Sequence, residues 1–283
     1  MKQKYAAKRK ILIILLFFLI ASANAEILPD SMTYPIVAIY KIDNNGHMLA
    51  HGTGFLVMNE QFGDSSEPLG YLITCAHILQ GRNLVIVKTK SIDKIKQIIA
   101  FIPYILPLVQ NDSTLWTANP NYDIAVCNFP PNDSLSQRIF PCSKSIFMDM
   151  SIALNYSNTQ IGQEILFYGF PLGIGTNNEP IPLIRPGMVS YKENGVYLID
   201  AQVFGGSSGS AVFTKPLIDI AGNFIEDTEK LIGIVSGHKT ASIRGLPLEE
   251  NAGLGEVFSK DLILETIQLH RERKIPYKIF KQK

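Results

Sequence analysis

Apolar residues in this chain come in short runs broken by turn signals, a spacing that suits strands and leaves little room for helices. Residues 35–42, 54–58, 71–74, 84–88 and 124–128 read as strands, and 164–169, 188–191, 196–201, 211–213 and 231–236 form a second set. Turn signals such as Asp43-Asn44-Asn45-Gly46, Asn194-Gly195 and Ala221-Gly222-Asn223 separate them. Many short strands without alternating long helices predict an all-β fold of barrels or a sandwich and argue against a doubly wound α/β fold. Pro130-Pro131-Asn132-Asp133 begins a linker between two halves, about 26–130 and 131–260.

Helical pattern is confined to two places. Residues 76–80 can open a short turn. Residues 260–273 carry Leu262, Ile263, Leu264 and Ile267, the pattern of an amphipathic helix packed on the second lobe. The apolar run 98–108 contains Pro103 and Pro107, which exclude a continuous helix. Within 91–116 it reads as a buried strand pair with a bent connection. The competing reading is an exposed apolar patch for a partner or a membrane surface.

The N-terminus changes the picture of the charge. Lys2, Lys4, Lys8, Arg9 and Lys10 precede an unbroken apolar stretch over 11–20, and Ala23-Asn24-Ala25 supplies a small-x-small cleavage pattern. Residues 1–25 therefore read as a signal peptide, and the apolar stretch is too short to be a comfortable membrane anchor. Cleavage leaves 26–283 as the mature chain, exported to the periplasm or beyond. The leader takes five of the 26 basic residues and none of the 25 acidic ones, so the mature balance is −4. Nothing in it suggests a nucleic-acid footprint. Three cysteines remain, Cys75, Cys127 and Cys142, with no metal-ligand spacing. Cys75 and Cys127 sit in apolar strand-like runs, where a buried free thiol is the usual state.

Candidate chemistry centres on Gly205-Gly206-Ser207-Ser208-Gly209-Ser210-Ala211, a turn between two apolar runs. Its glycines allow consecutive N–H groups to point at one spot, as an oxyanion hole requires. A serine nucleophile needs a base and a group to orient that base. Of five histidines, His47 and His51 flank a turn and His270 lies in a polar, exposed helical stretch. His77 leaves an apolar strand among small residues, with its ring free to face a cleft. The acid candidate is Asp123, at the entry of an apolar strand, where a carboxylate is a turn cap or is held for a partner.

These residues resemble the chymotrypsin-like serine proteases. The order His77, Asp123, Ser208 is that family's. Thr74-Cys75-Ala76-His77 is similar to its T-A-A-H, Asp123-Ile124-Ala125-Val126 to its D-I-A-V, and 206–211 to G-x-S-G-x-P/A. Gly52-Thr53-Gly54-Phe55, the segment 161–173, Arg185-Pro186-Gly187-Met188-Val189-Ser190 and Gly233-Ile234-Val235-Ser236-Gly237 look closest to the bacterial HtrA and glutamyl-endopeptidase branch. No PDZ-like extension is expected after the C-terminal helix.

The resemblance implies two six-stranded antiparallel β-barrels followed by that helix, and an endopeptidase acting on proteins or peptides without cofactor or metal. It implies Ser208 as nucleophile, His77 as base, Asp123 as orienting acid, and the N–H groups of Gly206 and Ser208 as the oxyanion hole. Ser207 and Ser210 are rivals, but only Ser208 has glycine two before and one after it. Gln202, Ser236 and His238 fall at substrate-binding positions. Gln202 stands where a trypsin-like preference for Arg or Lys needs an aspartate, and Ser207 stands where the digestive enzymes carry the aspartate of their activating ion pair. Two other classes compete. One is a protease-fold binding protein with little turnover. The other is an α/β-hydrolase, which fails because Ser210 replaces the last glycine of G-x-S-x-G and the histidine precedes the serine.

Overall fold

The computed structural model describes residues 33–58, 70–93, 98–129, 148, 150, 153–177, 179–218, 224–226, 229–242 and 249–275. The stretch 1–25 expected to be a signal peptide, the linker expected from 130–133 and Cys142 lie outside them. All described residues belong to one compact unit.

Buried apolar runs make the first lobe. Its strands are β1 (Ile36–Ile42), β2 (Met48–Met58), β3 (Gly70–Thr74), β4 (Leu84–Asp93), β5 (Ile98–Pro107), a small ribbon of β6 (Val109–Gln110) and β7 (Ser113–Thr114), β8 (Trp116–Ala118) and β9 (Ala125–Phe129). A one-turn helix, α1 (Ala76–Leu79), follows β3. The sheet order is β5-β4-β1-β2-β3-β9-β8. Every residue of β3 and β9 is buried, as central strands with unbroken apolar runs should be. The β1–β2 turn forms as its sequence predicts: Asp43 Oδ1 accepts from the N–H groups of Asn45 (2.9 Å) and His47 (2.8 Å), and Gly46 takes φ +83°.

Of the two readings of 91–116 the structure supports the strand pairing, while the connection at 94–97 lies outside the described residues. β4 and β5 pair antiparallel from Leu84↔Pro107 to Asp93↔Ile98, and β5 is the outermost strand. Pro103 and Pro107, four residues apart, share one side of that strand, so both can face the open edge where no ladder bond is lost. Tyr104, Leu106 and Leu108 turn into the lobe core while Ile105 stays exposed.

The second lobe is a closed barrel, β10-β11-β12-β17-β16-β13, made of β10 (Glu164–Gly169), β11 (Leu183–Glu193), β12 (Val196–Asp200), β13 (Ala211–Thr214), β16 (Leu231–Ser242) and β17 (Glu249–Ser259). The short β14 (Leu217–Ile218) and β15 (Phe224–Glu226) pair outside it. The double-barrel expectation holds, with the first lobe a curled sheet of seven strands that stays open. Cys75 and Cys127 are free and buried, as expected.

Helix α2 (Lys260–Glu272) extends one expectation and corrects another. It packs on β16 and β17 as foreseen, but also on β8 and β9 of the first lobe. Asn119 Nδ2 donates to Thr266 Oγ1 (3.0 Å), and Arg273 reaches the Thr114 carbonyl (2.8 Å). His270 is 2% exposed instead of facing solvent, because the helix lies across the junction of both lobes.

Candidate active site

The serine turn is assembled by glycines that nothing else can replace. Gly206 and Gly209 take φ +89° and +88°. A Cβ at Gly206 would meet the Phe170 carbonyl oxygen at 2.4 Å, and one at Gly209 would meet the Thr53 carbonyl oxygen at 1.8 Å. The turn is pinned by bonds from Ser207 N–H to Phe204 O (3.0 Å), Ser210 N–H to Ser207 O (3.0 Å) and Gly209 N–H to Val235 O (2.8 Å). Thr53 N–H donates to Ser208 O (2.9 Å) from the other lobe. Ser207 and Ser210 are fully buried, with hydroxyls lacking any hydrogen-bond partner among the described residues. Ser208 is half-buried, the one of the three serines with exposed surface.

Two peptide groups in this turn have their carbonyls tied off. Leu172 N–H donates to Gly205 O at 2.6 Å, and Ser210 N–H takes Ser207 O. In a trans peptide the N–H points opposite to the C=O, so the N–H groups of Gly206 and Ser208 are turned away from those donors. Neither has an acceptor among the described residues. Leu172 is held at φ +55°, a conformation that costs a non-glycine residue roughly 1–2 kcal/mol. The clamp around it enforces that geometry. Thr53 Oγ1 accepts from Phe170 N–H (3.0 Å) and donates to Gly206 O (2.8 Å), while Tyr40 Oη donates to Thr176 O (2.6 Å). Sequence reading missed Thr53 and Tyr40 as clamps, because their partners lie more than a hundred residues away.

His77 and Asp123 meet across the first lobe. The bend over Asn121-Tyr122-Asp123, before β9, aims the carboxylate at the start of α1. Asp123 Oδ1 accepts the His77 backbone N–H (3.0 Å), and Oδ2 lies 2.5 Å from His77 Nδ1. An ionised carboxylate only accepts, so Nδ1 carries the proton and Nε2 keeps its lone pair. Ser236 Oγ adds a longer bond to Oδ2 at 3.4 Å. The serine turn and this pair share an anchor: the Val235 carbonyl accepts from Gly209 N–H and from Cys75 Sγ (3.2 Å), two residues before His77. The Cys75 thiol is pushed well above its usual range, first by burial and then by the nearby Asp123 charge.

Cys75, His77 and Asp123 bring ligand atoms within 4.8 Å of one another, the one such group among the described residues. Its imidazole and carboxylate are already bonded together and its thiol is held protonated by burial, so the arrangement is that of a proton-handling pair. Gln202 is exposed, and its carbonyl accepts from Arg185 Nη1 (2.6 Å). His238 is exposed on β16 opposite Gly255. Ser236 sits at an irregularity of the β16–β17 ladder with its hydroxyl turned to Asp123, so its side chain serves the acid.

The profile of the trypsin-like peptidase domain matches residues 52–216. Among solved structures the chain is similar to human heparin binding protein, with a TM-score of 0.50 and 10% identity over 85% of this chain and 92% of that one. It is also similar to the HtrA-type protease AlgW with a decapeptide (TM-score 0.49, 18% identity, 87% of this chain and 67% of that one). For AlgW with a tripeptide the values are 0.45 and 19%, over 83% of this chain and 60% of that one. The chain thus spans about two thirds or less of AlgW's length. No curated protein sequence matches it.

Proposed function

Because the chain belongs to the trypsin-like peptidase domain family, we propose that it is an exported serine endopeptidase working through Ser208, His77 and Asp123. Ser208 Oγ attacks the scissile carbonyl carbon while His77 Nε2 takes its proton. The proton then passes to the leaving amine, giving an acyl-enzyme. A water deprotonated by the same Nε2 hydrolyses that ester and restores the serine. Asp123 holds the Nδ1–H tautomer and stabilises the imidazolium. The N–H groups of Gly206 and Ser208 bind the oxyanion, where each donor lowers the barrier by about 3–4 kcal/mol.

The observation that carries this reading is the contrast among three serines: Ser207 and Ser210 are sealed, and Ser208 alone is open, on a turn anchored beside the His77–Asp123 pair. Peptides and proteins are the substrate class, contacted by Gln202 and His238. The uncharged Gln202 disfavours Arg or Lys at the cleaved position. Export runs through a signal peptide removed by cleavage after Ala25, which N-terminal sequencing of the mature protein checks by finding Glu26 first.

The mature protein should react with a fluorophosphonate probe and cleave members of a peptide library, and Ser208→Ala should do neither. Hydrolysis persisting in Ser208→Ala overturns the proposal. So does a folded wild type that neither reacts nor cleaves, the behaviour of a protease-fold binding protein.

A further inference from the structure

Next to α1 lies a surface hollow of about 300 Å³ lined by Lys41, Ile42, Gly81, Arg82, Asn83 and Leu84. It holds two cations, Lys41 and Arg82. Among the described residues, no carboxylate lies within ion-pair distance of either Lys41 or Arg82.

The guanidinium is fixed in advance. Arg82 Nε donates to the Ile78 carbonyl (3.2 Å), which folds the side chain back along α1, and Arg82 Nη2 donates to His51 Nε2 (2.9 Å). Those bonds leave N–H groups of the fork unspent. His51 serves as a neutral acceptor: burial, then the charges of Arg82 and Lys41, lower its pKa to about 4. It therefore orients the guanidinium without neutralising it. The Ile78 carbonyl that holds Arg82 Nε belongs to the residue after His77, so the hollow lies on the His77 flank of the site.

A preorganised guanidinium, a lysine and apolar walls from Ile42 and Leu84 suit one kind of guest. The geometry points to a subsite for a peptide carboxylate on the His77 flank of the cleft, taking an Asp or Glu side chain of the bound substrate. The inference rests on the peptidase reading for its guest. It goes beyond that reading by assigning a charge preference to a place whose lining includes neither Gln202 nor His238.

Binding of fluorescent peptides to Ser208→Ala tests it without requiring turnover. A series carrying Glu or its isostere Gln at each successive position is compared by anisotropy, with free and amidated C-termini as separate arms. At one internal position Glu should bind about tenfold tighter than Gln. Lys41→Gln should erase most of that preference, and Lys41→Glu should invert it towards Lys-bearing peptides. A preference that appears only with the free C-terminus overturns the side-chain assignment. Equal binding of Glu and Gln peptides, or a preference indifferent to both Lys41 variants, overturns the subsite. A failure of fluorophosphonate labelling in the wild type would instead count against the peptidase reading, and the binding comparison would still stand.

Discussion

Two histidines in this molecule meet polar partners at opposite ends of their exposure range, and the difference separates chemistry from construction. His270 is buried at the junction of α2 with the first lobe, and both its nitrogens are satisfied. Asn128 Nδ2 donates to the Ile275 carbonyl (3.3 Å), so Asn128 Oδ1 faces the ring and accepts from His270 Nε2–H (3.1 Å). The Thr117 hydroxyl then donates to Nδ1 (2.9 Å). Burial, with a smaller push from Arg273, lowers its pKa to about 4. Among the described residues His77 is bonded at one ring nitrogen only, and that partner is a carboxylate. A saturated neutral ring ties elements together. A ring with one charged partner and one open lone pair can carry a proton.

The contrast can be broken from either side. Asp123→Asn should lower kcat by about 10⁴-fold by releasing the productive tautomer, with thermal stability close to wild type. His270→Ala should do the reverse. It strands Thr117 and Asn128 in a buried site, so unfolding free energy should fall by about 3 kcal/mol while kcat per folded molecule holds. Denaturant titration beside steady-state kinetics separates the two outcomes. A large loss of kcat in folded His270→Ala would contradict the division.

Glycines sharpen the same contrast within the turns. Gly206→Ala must place its Cβ 2.4 Å from the Phe170 carbonyl oxygen, so the peptide should shift and the Gly206 N–H move. We expect kcat to drop by about 10²–10³-fold, the scale of one lost oxyanion donor. Gly46→Ala has a similar φ of +83° but nothing within 4 Å, so it should cost only about 1–2 kcal/mol of stability and leave kcat unchanged.

The last effect is in pH. The unfolded chain protonates His270 near pH 6.5, whereas the folded chain resists until about pH 4. Stability is therefore complete above pH 6.5, falls as pH drops from 6.5 towards 4, and levels below that. The His270 share approaches about 3 kcal/mol at the acid end. His51, also lowered to about 4, adds to the slope in the same window but is partly exposed. Stability curves of wild type and His270→Gln should converge at low pH, and parallel curves would refute the His270 assignment.

The candidate site was legible in the chain because its chemistry travels in short local strings around His77, Asp123 and Ser208. What holds those strings in register was not. Thr53 and Tyr40 act on partners across the lobes, and the family resemblance of 161–173 does not show that Leu172 N–H bonds the Gly205 carbonyl. His270 misled for a related reason: its helical neighbours are polar, but Thr117 and Asn128 come from another lobe. Strand β17 was missed altogether. Glu249, Glu250, Asn251 and Gly253 are poor strand formers, and the pairing is supported by cross-strand contacts such as Thr240 to Glu249 (2.6 Å) and Lys239 to Glu256. Strand β11 begins at Leu183, five residues before the apolar signal, because Pro186 and Gly187 hide its alternation.

The central claim is that one hydroxyl among three neighbouring serines is the nucleophile. Mapping the fluorophosphonate adduct on the folded mature protein by peptide mass spectrometry tests it most directly. The adduct should sit on Ser208 and disappear in His77→Ala, with Ser207 and Ser210 unmodified. An adduct on either of those serines, or none on a folded sample, would contradict the account.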